Sequence, residues 1–258
     1  MIERVIENNL AEMESEKNVR VLLAVEAGSR AWGFASPNSD YDVRFIYVRP
    51  GEEYLRLEKR SDTIEWQLDE GMDMNGWDLQ KALLLLHASN PTLFEWNNSP
   101  ICYMVHDYWQ SIKEKIDTFF QPKAGFFHYL GMAKTTYKKE LQGDEVKLKK
   151  YFHAIRSILA AKWILEKKTP PPVSLLELMA YGLPATALPT FYNLYSRKIE
   201  KEKGLGVGKP LRTLNNYIEK SIEDLSQKEP DLPTGPHVGW QQLDEMFLRG
   251  LDAFPRTY

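Results

Sequence analysis

Residues 21–48 read Val-Leu-Leu-Ala-Val-Glu-Ala-Gly-Ser-Arg-Ala-Trp-Gly-Phe-Ala-Ser-Pro-Asn-Ser-Asp-Tyr-Asp-Val-Arg-Phe-Ile-Tyr-Val, and the fold turns on how they are read. Val21 to Val25 are a short apolar run of the kind found in buried strands. Gly28 to Asp40 are rich in turn formers and are expected to form a loop with room for one helical turn. Tyr41 to Val48 have strong strand composition, and Pro50-Gly51 ends them.

Upstream, Ile2, Val5, Ile6, Leu10 and Met13 recur at helical spacing among acids, which predicts an amphipathic helix over residues 2–17. Downstream, Asp62 to Met74 alternate in polarity as one or two strands do. Trp77 to His87 turn helical, with Leu79, Leu83 and Leu86 on one face. Asn90-Pro91 reads as a helix-breaking turn. Beyond it helical patterns dominate, over about 105–119, 124–142, 145–168, 173–180, 187–203, 210–227 and 240–252. Turn signals separate them at Gln121-Pro122, Gln142-Gly143, Thr169 to Pro172 and Pro230 to Gly235, and Gly204 to Pro210 reads as a flexible loop. An α+β chain is expected: a mixed sheet flanked by helices over residues 1–110, then an all-helical unit over 111–258, with the boundary between 98 and 122.

The 258 residues are 43% hydrophobic and 27% charged, enough to bury a core and unlike a disordered tail. No apolar run, Ala82 to Leu86 included, approaches the ~20 residues a membrane helix needs. The first residues lack the order of a secretory signal, and the single cysteine, Cys102, excludes an intrachain disulfide and a Cys-rich zinc site. A cytoplasmic protein is therefore expected, with Cys102 an ordinary buried thiol. Residues 1–100 hold 10 Lys and Arg against 18 Asp and Glu, whereas residues 134–168 hold 10 against 4. That asymmetry suits a site handling both cations and a polyanion; solvated helix faces of different charge would give the same counts.

The chemistry centres on Gly28-Ser29 and Asp40-Tyr41-Asp42. Side chains alternate along a strand, so Asp40 and Asp42 are expected on one face. Two such carboxylates repel unless a cation lies between them, and oxygen ligands favour Mg²⁺ or Mn²⁺. Glycine admits a ligand close to the backbone, and the serine hydroxyl and neighbouring N–H groups suit phosphate. A third acid is expected on a neighbouring strand; Asp73, flanked by Met72 and Met74, is preferred to Glu65. Each residue has a plainer reading. The Asp pair could serve a glycosyltransferase's diphosphate–metal motif, Ser29 could cap a helix, and Arg30 could hold a structural ion pair. Glu26 reads as structural, and Trp32 and Phe34 as core. His153 and Arg156 share a helix face. With Lys149 and Lys150 they are expected either to meet the nucleotide or to form a solvated basic face beside one buried histidine. No Gly-x-x-x-x-Gly-Lys-Ser/Thr stretch supports a P-loop.

The segment resembles the signature of the DNA polymerase β-like nucleotidyltransferase superfamily, through Gly28, Ser29, Arg30, Ala31, Gly33, Ser39, Asp40 and Asp42. Its longer form is similar to the RNA-ligase-associated or predicted bacterial nucleotidyltransferase branch. That similarity runs through Trp32-Gly33-Phe34, Ser89-Asn90-Pro91, Glu95-Trp96 and the stretch Lys150 to Arg156. The core motif covers roughly the first 80 residues and the branch-level similarity ends near residue 165. The resemblance implies a palm-like mixed sheet and two-metal transfer of a nucleoside monophosphate from an NTP. In it Asp40 and Asp42 match the metal-binding pair, Gly28 and Ser29 match the triphosphate-holding motif, and Asp73 matches the third carboxylate more weakly. Arg30, Lys150 and Arg156 are expected phosphate contacts. The acceptor is left open among an RNA end, a protein hydroxyl and a small molecule. A nucleotide- or nucleic-acid-binding module without turnover, or an antitoxin-like enzyme modifying a partner protein, are the alternatives.

Overall fold

Apolar residues at helical spacing drive the first element, α1 (Ile2–Lys17), whose Ile6, Leu10 and Met13 are fully buried. Burying each such side chain contributes about 2 kcal/mol of transfer free energy. The computed structural model describes residues 2–69, 71–200, 205–227, 232–233 and 238–254. The expected turn from Pro230 to Gly235 and the end of the 187–203 helix lie partly outside the described residues. After α1 come β1 (Arg20–Glu26), the single helical turn α2 (Gly28–Ala31), β2 (Tyr41–Val48), β3 (Thr63–Asp69), β4 (Met72–Asp78), α3 (Leu79–His87), α4 (Pro91–Asn97), β5 (Cys102–Val105) and α5 (Asp107–Ile116).

The five strands form one mixed sheet in the order β3-β4-β2-β1-β5. β1 is antiparallel to β2 and β5, β2 is parallel to β4, and β3 is antiparallel to β4. Period-two alternation sorts β2. Val43, Phe45 and Tyr47 enter the core packed with Ile6, Leu10 and Met13 of α1, leaving Asp42, Arg44 and Ile46 on the other face. α3 packs against β2 and β4, and α5 against β1.

The helical part comprises α6 (Pro122–Glu140), β6 (Val146–Lys147), α7 (Lys150–Lys167), α8 (Leu175–Gly182), α9 (Leu188–Glu200), β7 (Val207–Gly208) and α10 (Arg212–Gln227). α7 is buried nearly all round, from Tyr151 and Phe152 through Ile164, so it is the central helix against which α6, α8 and α10 pack. It stops at Lys168, which adopts a left-handed conformation ahead of the prolines. The last helix, α11 (Trp240–Leu251), packs on α3.

The α+β architecture follows the sequence reading, with a mixed sheet and helices early and a mostly helical later part. Compact grouping assigns Met1–Ala31, Asp40–Phe120 and Pro236–Tyr258 to one unit, and Trp32–Ser39 and Gln121–Gly235 to the other. A single cut between 110 and 111 does not describe this grouping, because α11 returns to the sheet unit and the 32–39 loop belongs to the helical one. Other local readings differ too. Asn90-Pro91 follows the end of α3, as a break does, and also starts α4: the Asn90 side chain accepts from the Thr92 N–H, and Pro91 takes the first-turn position where its missing N–H is harmless. Cys102 is exposed on the edge strand, not buried. The helix expected from residue 145 begins at Lys150, with Val146 and Lys147 paired to β7 instead. Among the described residues no helix is long and apolar enough to cross a membrane.

Candidate active site

At the start of β2 and β4, parallel pairing places Asp42 directly opposite Asp73. Residues opposite one another point to the same face, so the two carboxylates meet side by side. Arg44, two residues on from Asp42 and hence on its face, lies between them. Its Nη2 is 2.7 Å from Asp73 Oδ2 and 3.3 Å from Asp42 Oδ1. Its Nη1 donates to the carbonyl oxygens of Val43 and Asp73, each at 3.0 Å. The Asp73 side chain is 56% exposed and that of Arg44 19%, so the pair opens outward from a mostly covered guanidinium.

The loop after β1 completes the corner. Gly28 has φ +58°, and a Cβ there would overlap the Asp42 carboxylate, so only glycine lets the backbone approach this closely. Ser29 follows it in α2, half-buried. The Ala27 N–H donates to the Asp42 carbonyl at 2.8 Å. Behind the site, the fully buried Glu26 accepts from the Asp42 backbone N–H at 2.9 Å and from the Tyr103 hydroxyl. Burial raises the Glu26 carboxyl above its ordinary value, against the hydrogen bonds from Tyr103 and Asp42, which lower it. Arg30 stacks on the Tyr41 ring at 3.7 Å and its Nε donates to the Asp40 carbonyl at 3.2 Å.

Asp40 is exposed and stands one residue before β2, so strand alternation does not set its direction as the sequence argument required. Among the described residues no three His, Cys, Asp or Glu side chains gather closely enough to hold a metal ion. Asp40, Asp42 and Asp73 are therefore not a preformed cluster. Glu65 pairs with Asn75, two residues along β4 from Asp73.

Lys150 and Arg156 belong to the helical unit. Lys150 Nζ is 3.3 Å from Glu140 Oε1. Arg156 is only 3% exposed, its guanidinium 4.4 Å over the Trp32 ring and its Nε 3.4 Å from the Val173 carbonyl. Arg156 is therefore no part of a solvated basic face, the plainer reading of the sequence: its guanidinium is occupied inside the helical unit. Trp32 also meets His153 edge-on at 5.3 Å, and Phe34 stacks on Phe152 at 4.7 Å, which makes both loop aromatics packing residues. Arg44 was missed as a site residue. The same period of two that was applied to residues 40 and 42 would have put it beside Asp42.

Asp42 and Asp73 face each other with the Arg44 guanidinium between them, and with the exposed Asp40 they are the carboxylates here that could hold a divalent cation. A mixed sheet carrying such a pair beside a Gly-Ser turn agrees with the nucleotidyltransferase resemblance of the sequence. Residues 2–249 match the RlaP family, described as the RNA repair pathway DNA polymerase beta family, and the chain belongs to it. It is 35% identical over 253 residues to the uncharacterized protein YcgL of Bacillus subtilis (strain 168), covering 98% of this chain and 97% of that one. Among solved structures, a nucleotidyltransferase-like protein from Exiguobacterium sibiricum 255-15 aligns with 98% of this chain and 78% of its own, at 13% identity and a TM-score of 0.33.

Proposed function

We propose that this chain transfers a nucleoside monophosphate from an NTP to an RNA end and releases pyrophosphate. The carrying observation is the Asp42–Asp73 pair, facing across parallel strands beside Gly28. The family's description in terms of RNA repair favours an RNA end over a protein hydroxyl or a small molecule. Asp42 and Asp73, joined by Asp40, would hold Mg²⁺ or Mn²⁺, which when bound polarises phosphoryl oxygens and neutralises their charge. The Gly28 and Ser29 backbone N–H groups and the Ser29 hydroxyl hold the triphosphate, with Arg30 beside them. The acceptor hydroxyl oxygen bonds to the α-phosphorus, the α–β bridging P–O bond breaks, and the hydroxyl proton passes to the Asp73 carboxylate. Glu26 fixes the Asp42 backbone while this happens. The cytoplasm, where NTPs and Mg²⁺ are supplied, is the compartment this reading assigns.

The test is incubation with each α-labelled NTP and Mg²⁺ or Mn²⁺, with and without RNA carrying 3′-hydroxyl or 3′-phosphate ends. Label on RNA with stoichiometric pyrophosphate, lost in Asp42→Asn, supports the proposal. Label on protein instead would select the antitoxin-like reading. NTP binding without any pyrophosphate would select a binding module, a second reading that the Arg44 guanidinium between the two carboxylates favours.

A further inference from the structure

We infer that Arg44 is an internal counter-cation that occupies the acidic pair until a divalent metal displaces it; this rests on the reading of Asp42 and Asp73 as metal ligands. Two carboxylates brought face to face by strand register repel, and the fold must neutralise them whether or not metal is present. Arg44 does so with one nitrogen shared by both acids, at 2.7 Å and 3.3 Å. Charge-assisted hydrogen bonds of this kind are stronger than neutral ones.

The rest of the guanidinium is anchored as well. Nη1 donates to two carbonyl oxygens, one on each strand, so Arg44 ties the starts of β2 and β4 together. An arginine that merely decorated a surface would not place four contacts on two strands around one acidic pair. Yet the same two carboxylates, of Asp42 and Asp73, are those that would hold a metal. Guanidinium and metal therefore compete, and a metal arriving alone must first displace an organised set of hydrogen bonds. Arg44 thus raises the metal concentration the site needs, and it holds the starts of β2 and β4 together when no metal is bound.

The experiment is Mn²⁺ titration of chelator-treated protein, read as free Mn²⁺ by electron paramagnetic resonance, with thermal melts run with and without Mn²⁺. Arg44→Gln is expected to bind Mn²⁺ about tenfold more tightly than wild type, the ratio that follows from removing one competing charge-assisted contact. Its metal-free form melts below wild type, and Mn²⁺ closes that gap. Equal or weaker Mn²⁺ affinity, or a melting deficit that Mn²⁺ leaves in place, would overturn the inference and make Arg44 a purely structural residue. Arg44→Lys keeps the charge but cannot bridge both acids and both carbonyls. It carries the test if the Gln variant does not fold: tighter Mn²⁺ binding than wild type supports displacement, and equal or weaker binding refutes it. Asp42→Asn separates the two levels of argument. If Mn²⁺ binding does not depend on Asp42 in any background, both the metal-site reading and the counter-cation fall. Asp42-dependent binding without nucleotide transfer would leave the counter-cation standing and remove only the transferase.

Discussion

At the residue scale, two glycines of one loop separate backbone strain from site geometry. Gly28 and Gly33 both adopt positive φ, +58° and +83°. A Cβ at Gly28 would overlap the Asp42 carboxylate, whereas one at Gly33 meets nothing within 4 Å. A left-handed conformation costs an L-residue about 1–2 kcal/mol, so both Gly28→Ala and Gly33→Ala should lose that much stability in urea unfolding. Only Gly28→Ala should also push the Asp42 carboxylate aside, and with it lose about tenfold or more in Mn²⁺ affinity, a change of about 1.4 kcal/mol. Equal Mn²⁺ affinities in the two variants would show that the close approach of Gly28 does not shape the site.

At the element scale, α7 joins the buried cation to an acid-sensitive neighbour. Removing Arg156 leaves the Val173 carbonyl and the Trp32 ring without their partner inside the core, so Arg156→Ala should lower stability by about 2–3 kcal/mol. NTP affinity of the folded variant should stay where it was; a fall in NTP affinity with an unmoved melting temperature would restore the phosphate-contact reading. His153, one turn away, is pushed down from 6.5 to about 4, first by burial, then by the charges of Lys150, Lys149 and Arg156, against a smaller opposing effect of Glu140. Above 6.5 it is neutral both folded and unfolded. Between 6.5 and about 4 the unfolded chain takes up a proton that the folded chain refuses, so stability falls as pH falls. The loss amounts to at most about 3 kcal/mol, and His153→Phe should remove it from the difference between urea melts at pH 7 and pH 4.5. A variant whose pH slope matched wild type would refute the assignment. These helices, and strands β1 to β4, were legible because their apolar residues repeat with a period of 3.6 or 2. β5 was not, since its four residues on a sheet edge show no clean alternation of burial. α4 was hidden because Asn-Pro marks a break and an N-cap equally well. Asp42, Asp73 and Gly28 stand out as residue types, and the period of two places Arg44 beside Asp42, but the Asp42–Asp73 pairing that Arg44 bridges depends on strand register, which no local pattern encodes.

At the scale of the whole molecule, the sheet unit is closed by the chain's last helix. Composition placed residues 240–252 with the helical part because they are helical; their partners are instead in α3 and α5. Tyr108 donates its hydroxyl to the Met246 carbonyl at 2.7 Å, and Gly250 lies so close to Leu79 that a Cβ would overlap its side chain. Trp240 packs on His87 at 4.2 Å, and Phe247 meets Tyr54 edge-on at 5.0 Å. Leu243 and Met246 are buried. Losing two buried apolar side chains at about 2 kcal/mol each and one hydrogen bond at about 1 kcal/mol removes about 5 kcal/mol, the lower end of a typical domain's net stability. A chain ending at residue 235 should therefore melt far below the full-length protein or without cooperativity. Its Mn²⁺ binding should fail with it, although every candidate ligand is still present. Adding a synthetic peptide of residues 236–258 should restore part of both signals. Gly250→Val should reproduce the defect in the intact chain, because the valine side chain would wedge α11 away from Leu79. An unchanged melting curve for the 1–235 chain would show that the sheet unit is complete without its returning helix.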